Sequence, residues 1–153
     1  IIIVIIFLII ILEKHSIIFI SSRVGKKGKI FKIYKFQTML NNNITNLGFY
    51  LRRMSLDEIP QLFNIIIGDM VFIGPRPALH NQKDLISLRS KEGIDTIMPG
   101  ITGWAQVNGR DDLSIAEKVV YETYYLNNKS ISLNIKIIFL TIYKVFLLTD
   151  DIK

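Results

Sequence analysis

Two adjacent carboxylates, Asp57 and Glu58, are the residues whose types and placement in this sequence favour chemistry most directly. Neighbouring residues of a helix point about 100° apart, so the two cannot face each other as an acid–base dyad. They can divide the work instead, one carboxylate attacking an electrophile while the other holds a metal ion. Acidic residues are also common in first helical turns as partners of the helix dipole, so the pair alone does not decide between these interpretations.

A helix beginning at Ser55 is predicted to carry this pair. Ser55 and Glu58 fit a capping box, and the helix is expected to run to Ile67 and end at Gly68. Pro60 lies inside it, where it either kinks the first turn or moves the true start of the helix further along the chain. In a first turn, the positive end of the helix dipole favours the ionised carboxylates that a nucleophile or a Mg²⁺ ligand requires.

Two arginines are predicted on rigid turns. Arg76 lies in the turn formed by residues 74–77, and Arg110 follows Gly109. A guanidinium offers a fixed fork of donors that suits phosphate, although a solvent-exposed turn explains each arginine when it is considered alone. Trp104, the one tryptophan, either packs against a base or fills the core.

The composition fits a single domain that meets anionic partners and a membrane. The chain has 153 residues, of which 50% are hydrophobic, with a formal net charge of +6 and a positive mean hydropathy of +0.35. This charge suits phosphate ligands, anionic lipid or nucleic acid, and does not select among them. The absence of Cys excludes disulfides and thiolate metal sites, and two His residues are too few for a multi-His zinc site.

Residues 1–12 form an unbroken apolar run that is shorter than the roughly 20 residues a membrane-spanning helix needs. The run is either a buried β-strand rich in Ile or the end of a re-entrant membrane segment whose start is missing from this chain. We therefore expect one domain over residues 1–153, with a residual membrane segment at 1–12 and a cytoplasmic catalytic part at 23–153. A basic stretch follows the apolar run and indicates the cytoplasmic side of a membrane or a solvated loop; it contains Arg23, Lys26, Lys27, Lys29, Lys32 and Lys35.

The remaining patterns predict short elements. Residues 132–148 form an apolar helix with Lys136 and Lys144 on one face, which lies in a membrane interface or is an ordinary buried helix. The other predictions are a strand at 30–36, helices at 47–53, 85–93 and 115–126, and turns or loops at 41–46, 72–77 and 99–109.

Five motifs in one order connect these features. They are KFQTM at residues 35–39, RRMSLDEIPQLFN at 52–64, GDM at 68–70, GPRP at 74–77 and PGITGWAQVNGR at 99–110. Their order and spacing closely resemble the bacterial sugar transferase family, also called monotopic phosphoglycosyl transferases, over residues 16–148.

The resemblance implies a two-step transfer of a sugar 1-phosphate from a UDP-sugar to polyprenyl (undecaprenyl) phosphate, which starts a surface glycan. Asp57 is the expected nucleophile, which would form an aspartyl-phosphosugar intermediate and release UMP. Glu58, together with Asp57, is expected at a Mg²⁺ site. The further candidates for contacts with the substrates are Lys35, Arg52, Arg76, Arg110 and Glu122.

The resemblance also implies a mixed α/β or α+β domain of short helices around a small sheet. It would rest on the cytoplasmic face of the bacterial inner membrane through a re-entrant N-terminal segment and interfacial helices, with membrane lipid and no nucleic acid among its partners. Two features depart from the family: the membrane segment appears halved, and Glu122 stands where many relatives have Asp. The alternatives are a truncated, non-catalytic relative that binds lipid or protein partners, and a basic nucleic-acid-binding module, which salt-dependent DNA binding would support.

Overall fold

The computed structural model describes residues 16–109 and 112–147, which form a small mixed domain of short helices and small sheets. The predicted mixed architecture is confirmed, although the strands form three small sheets instead of one. The apolar run at 1–12 lies outside the described residues. The strands are β1 (Ile18–Val24), β2 (Ile30–Phe36), β3 (Met39–Leu40), β4 (Asn43–Ile44), β5 (Val71–Ile73), β6 (Ala78–Leu79) and β7 (Gly100–Thr102). The helices are α1 (Asn46–Arg53), α2 (Gln61–Ile66), α3 (Lys83–Lys91), α4 (Trp104–Asn108), α5 (Ile115–Asn128) and α6 (Ile131–Leu147).

An antiparallel hairpin of β1 and β2 forms the main sheet, and β6 extends it on the free side of β1. The strand predicted at 30–36 is therefore confirmed. The hairpin turns at Lys26–Gly28, where Gly28 has a φ of 75° that favours glycine. Pairing of Arg23 with Leu79 and of Val24 with Ala78 brings the turn that carries Arg76 beside the end of β1.

The segment predicted as a long loop at 99–109 instead contains β7 and α4, so that prediction is wrong. Its glycines allow two backbones to approach closely: a Cβ on Gly100 would stand 2.2 Å from the backbone nitrogen of Gly74. This proximity permits the parallel pairing of β5 with β7. The turn predicted at 72–77 is correct after Ile73, where β5 ends.

The helix predicted from Ser55 to Ile67 is broken into two pieces, and the predicted capping box does not form. Ser55 is left-handed, with a φ of 53° and no side-chain cap, and Leu56–Glu58 form one 3-10 turn. Pro60 then precedes α2, because a proline has no N–H to donate and is tolerated only at the start of a helix. The predicted end is confirmed, since Gly68 terminates this segment with a φ of 80°.

The other predicted helices are confirmed with small shifts of their bounds, as α1, α3, α5 and α6. A capping box does occur in the chain, but at Ser114 and Glu117 at the start of α5. The α6 helix packs through the fully buried Ile137 against Val107 and Tyr125. Among the helices that the structure describes, none is both long and apolar enough to cross a membrane.

Candidate active site

Asp57 and Glu58 lie at the centre of a cluster of charged side chains from three separate segments. The Nζ atom of Lys35 on β2 stands 2.6 Å from Oε1 of Glu58 and 3.6 Å from Oδ2 of Asp57. The Nη1 atom of Arg76 stands 3.4 Å from the same oxygen of Glu58. Four of the residues predicted from the sequence therefore meet at one place, although they are up to 41 positions apart in the chain.

The 3-10 turn holds both carboxylates inward because its apolar residues pack against the hairpin. Leu56 and Ile59 flank the pair and pack against the buried Phe36 and Leu51. The pair itself is buried, with 9% of Asp57 and 8% of Glu58 exposed. Burial of two adjacent carboxylates is costly unless cations compensate them, so Lys35 and the neighbouring arginines are required by the fold as well as by any chemistry.

The charge of Asp57 is incompletely compensated. Burial, and next the repulsion by Glu58, raise the pKa of Asp57, while Lys35 and Arg52 act in the opposite direction. Burial is the largest of these influences, so the net pKa lies above the ordinary value of an aspartate. Such a carboxylate is weakly solvated and has its nearest cation at 3.6 Å, an arrangement that suits attack on an electrophile by the ionised form.

Arg52 borders the cluster without joining its ion pairs. Its Nε donates a hydrogen bond of 2.8 Å to Oγ1 of the buried Thr38. This bond holds the guanidinium close enough to Asp57 to lower the pKa of that carboxyl. Arg110, another predicted contact, lies outside the described residues, and so its predicted role stays a prediction.

Arg23 is a member of this site that the sequence reasoning did not propose. It lines one recess together with Lys35, Glu58 and Arg76, and its buried Nε makes no hydrogen bond within the described part of the chain. Burial, and next the nearby charge of Arg76, lower the pKa of Arg23, while Glu58 raises it. Two guanidinium groups that repel each other beside a carboxylate form a site that an additional anion would stabilise.

The signal that identifies Arg23 is the register of the hairpin. Arg23 pairs with Phe31, and directly paired residues project from the same face of an antiparallel sheet. Residues alternate faces along a strand, so Arg23 shares its face with Phe31, Ile33 and Lys35. The sequence alone placed Arg23 in the basic stretch that indicates the cytoplasmic side of a membrane or a solvated loop.

Glu122, a predicted substrate contact, is placed in a different environment. It is 3% exposed and forms a bidentate ion pair with Arg89, whose Nε lies 2.7 Å from Oε2 and whose Nη2 contacts Oε1. The Nη1 atom of Arg89 also donates a 3.0 Å hydrogen bond to the backbone oxygen of Arg76. The pair thus connects α3 and α5 to the turn that carries Arg76. Glu122 is linked to the cluster indirectly, through Arg89 and the backbone of Arg76.

The donor atoms at the cluster suit a magnesium ion completed by substrate. Among residues 16–109 and 112–147, no group of three or more His, Cys, Asp or Glu side chains could hold a metal. Mg²⁺ retains several waters, however, and is commonly held by one or two carboxylates together with phosphate oxygens. Asp57 and Glu58 match that pattern, with the condition that Lys35 and Arg76 already share one oxygen of Glu58.

The arrangement as a whole places a buried carboxylate beside a group of cations, which is the geometry that a carboxylate nucleophile next to an anion site would need. Lys35, Arg23 and Arg76 present positive charge around Glu58 and next to Asp57. Cations placed in this way stabilise the oxygens of a phosphoryl group under attack. No histidine among the described residues lines the recess, and none is needed, because an ionised carboxylate attacks without a general base.

Comparison with known proteins points to one family. A family model described as bacterial sugar transferase matches residues 1–148. The protein "Uncharacterized sugar transferase EpsL" of Bacillus subtilis (strain 168) is 37% identical, over 84% of this chain and 69% of its own length. The UDP-glucose:undecaprenyl-phosphate glucose-1-phosphate transferase of Escherichia coli (strain K12) is also 37% identical, over 85% of this chain but 32% of its own length. The UDP-N-acetylgalactosamine-undecaprenyl-phosphate N-acetylgalactosaminephosphotransferase of Aeromonas hydrophila is 35% identical, over 82% of this chain and 34% of its own length.

Proposed function

The chain belongs to the bacterial sugar transferase family, and on that premise we propose that it transfers a sugar 1-phosphate from a UDP-sugar to polyprenyl phosphate. The names of the relatives from Escherichia coli and Aeromonas hydrophila specify UDP-sugars and undecaprenyl phosphate for those two proteins. The observation that carries the proposal here is the buried pair Asp57–Glu58 with Lys35 and Arg76 around it. The product, a sugar on a lipid carrier, would start a surface glycan or exopolysaccharide.

In the first step, a carboxylate oxygen of Asp57 attacks the phosphorus that bears the sugar. A new P–O bond forms to Asp57, the bond from that phosphorus to the bridging oxygen breaks, and UMP leaves with the bonding electrons. The carboxylate is buried and weakly solvated, so little water must be displaced before attack. Lys35 and Arg76 neutralise the charge that accumulates on the phosphoryl oxygens.

In the second step, a phosphate oxygen of polyprenyl phosphate attacks the same phosphorus and the bond to Asp57 breaks. This regenerates the carboxylate and leaves the sugar on a polyprenyl diphosphate. One nucleophile used twice divides one difficult displacement into two easier ones. The two steps need no net proton transfer, which agrees with a cluster built of carboxylates and permanent cations.

Glu58, together with Asp57, would hold the Mg²⁺ that the family resemblance implies. When bound, the ion would neutralise charge on the diphosphate of the donor. Glu58 has a second role that the contacts show directly: it fixes Lys35 and Arg76 through one oxygen. Glu58→Gln is therefore expected to weaken metal binding and also to release both cations.

We also propose that the domain rests on the cytoplasmic face of the bacterial inner membrane. Large apolar side chains are exposed on α2, β5 and α6. The α2 helix contacts β5, and β7, which pairs with β5, also contacts α6. Exposed apolar side chains on neighbouring elements commonly indicate a partner or a membrane, and the lipid carrier makes membrane the fitting choice. The exposed side chains are Leu62, Phe63, Ile66, Ile67, Phe72, Ile131, Ile135, Ile138, Phe139, Ile142 and Tyr143.

The α6 helix, predicted as either interfacial or buried, has one buried and one exposed face. One face is buried through Ile137, while the opposite face exposes Phe139 at 69%. Lys136, expected to point toward head groups, lies over the ring of Trp104 at 5.3 Å. Trp104 stacks on Tyr124 at 5.8 Å and belongs to the core cluster around Ile137, as its core interpretation predicts.

The test of the chemistry is a screen of nucleotide-sugars for UMP release in the presence of polyprenyl phosphate and Mg²⁺. Donor labelled in the sugar should leave label covalently on the protein when acceptor is omitted. Asp57→Asn should abolish both trapping and turnover, by about 10⁴-fold or more, because the nucleophile is removed. Near-parental turnover of Asp57→Asn would contradict the mechanism. Absence of transfer by the parent with every donor would favour the non-catalytic, lipid-binding alternative.

The membrane placement is tested by single cysteines, since the chain has none of its own. Phe139→Cys on α6 and Ser87→Cys on the polar α3 are matched exposed positions on helices. A fluorophore at Phe139→Cys should be quenched by a quencher attached to lipid tails, and one at Ser87→Cys should not. Equal quenching at the two positions would contradict the proposed face.

A further inference from the structure

A cavity of about 240 Å³ opens beside the catalytic cluster and shares Arg76 and Pro77 with it. Its walls come from the end of β1 and the turn that follows, the turn around Arg76, the end of α3, and the 3-10 turn Ile94–Thr96. Most of the wall is apolar, with side chains from Val24, Ile86, Ile94, Ile97 and three prolines. The chemistry described above uses no atom of this cavity beyond Arg76.

The position of Arg76 relates the cavity to the proposed donor. In a nucleotide-sugar, the phosphorus that Asp57 would attack is followed by a second phosphate and then by the nucleoside. Arg76 touches Glu58 with Nη1, has 36% of its side chain exposed, and lines the cavity as well. If the second phosphate lies beside Arg76, the phosphorus that reacts lies toward the carboxylates, and the nucleoside lies toward the cavity.

The size and polarity of the cavity fit a nucleoside. Pockets for drug-sized ligands measure about 300–1,000 Å³, so this one suits a base with part of its ribose and not a whole nucleotide-sugar. Apolar walls can hold the faces of a planar base. Asp95 and Ser90, joined by a 3.3 Å hydrogen bond, line the cavity together with Lys27 and supply acceptors and donors for the polar edge of a base or for ribose hydroxyls.

The location of the cavity favours a water-soluble ligand over a lipid tail. None of the exposed apolar residues assigned above to the membrane face lines the cavity. The residues that border the cavity at the surface, Lys27 and Ser90, are polar and exposed.

From these observations we infer that the cavity holds the nucleoside of the donor, with the phosphate next to it on Arg76. Asp95 accepts hydrogen bonds from N–H or O–H groups of that nucleoside. The inference rests on the proposed function and adds to it the part of the protein that recognises the nucleotide. The inference also assigns a positioning role to Glu122 and Arg89. Arg89, held by Glu122, donates to the backbone oxygen of Arg76 and so fixes the border between cavity and cluster.

The test is UMP binding by the full-length protein, measured by calorimetry with a side chain introduced at the rim of the cavity. Ser90→Leu projects a branched side chain into the opening and offers no aromatic face on which a base could stack. Ser87→Leu, one turn earlier on the same exposed side of α3 and outside the cavity lining, is the matched control. Ser90→Leu should weaken UMP binding at least tenfold and raise the KM for donor, with an unchanged KM for polyprenyl phosphate. Ser87→Leu should match the parent in all three measurements.

Each outcome separates this inference from the proposed function. UMP binding by Ser90→Leu that equals that of Ser87→Leu would overturn the nucleoside assignment, even if the parent transfers sugar phosphate normally. Failure of the parent to bind UMP would overturn it as well. A parent that binds UMP in a manner sensitive to Ser90→Leu, yet transfers nothing from any UDP-sugar, would contradict the proposed function and support the nucleoside site.

Discussion

Within residues 16–109 and 112–147, carboxylates are buried in two places and are paired with cations to very different degrees. Glu122 and Arg89 form a closed pair in which two nitrogens of the guanidinium meet two carboxylate oxygens, and a third nitrogen binds a backbone oxygen. Asp57, in contrast, has one cation at 3.6 Å and a second carboxylate next to it in sequence. Burial raises its pKa in spite of that cation.

The difference agrees with a structural role for Glu122 and with the nucleophilic role proposed for Asp57. A bidentate pair uses the donors and acceptors of both partners, so it fixes geometry and leaves little capacity for a ligand. A buried carboxylate without such a bidentate partner, with cations close by, keeps capacity for both attack and anion binding, as the proposed function requires. Glu122 and Asp57 are both buried acidic residues, and they differ in the partners that the fold gives them.

The largest effect on stability is expected from breaking the buried ion pair between Glu122 and Arg89. Glu122→Gln leaves Arg89 buried without its counter-charge, and breaking a buried pair in this way typically costs about 3–5 kcal/mol. For a chain of this size, that corresponds to a fall in Tm of roughly 10 °C. Thermal unfolding should show this fall, while Glu92→Gln at an exposed position should change Tm little. If Glu122→Gln unfolds like the parent and only donor binding suffers, Glu122 contacts substrate directly after all.

An intermediate effect, on activity alone, is expected from Arg76→Lys. Lysine keeps the charge but loses the planar fork that can contact Glu58 and a donor phosphate together. A charge-assisted contact is worth about 1.5–3 kcal/mol, so kcat/KM should fall roughly 10- to 150-fold. Tm should change little, because 36% of the Arg76 side chain is exposed. Steady-state kinetics that match the parent would make Arg76 a residue of the turn with no part in donor binding.

The smallest effect is a gain in stability from Asp57→Asn. The folded-state pKa of Asp57 is raised, so its contribution to stability is fully present below the unfolded pKa and is lost as pH rises through the folded pKa. Asparagine stays neutral and avoids that loss. The Tm of Asp57→Asn should therefore exceed that of the parent at about pH 8, and the difference should shrink as the pH falls toward about 4.

Asp84→Asn, at an exposed position on α3, is the control for this measurement and should show no such trend. A Tm for Asp57→Asn below that of the parent at about pH 8 would mean that Lys35 compensates Asp57 fully. Asp57 would then resemble Glu122, and the contrast between the two regions would disappear.

The sequence by itself determined the family, the mixed class of the fold and four members of the central cluster. Periodicity identified the strand at 30–36 and most helices, because these signals are local: a hydrophobic repeat, a terminating glycine, a proline. The motifs identified Asp57, Glu58, Lys35 and Arg76 before any contact between them was known. Local signals failed where two rules competed, as at Ser55, where Pro60 prevented the capped helix, and at 99–109, where glycines signalled a close approach of strands instead of a loop.

Only the tertiary structure decided how each charged residue is used. The register of the β1–β2 hairpin places Arg23 in the cluster, and the fold brings Arg89 into contact with Glu122, which is 33 positions away in sequence. The raised pKa of Asp57 depends on burial and on distances to cations that come from other segments. Electrostatic energies depend on separation and on exclusion of water, and neither quantity is encoded within a few neighbouring residues. The sequence could therefore indicate which residues matter, while packing determined which carboxylate has a bidentate partner and which does not.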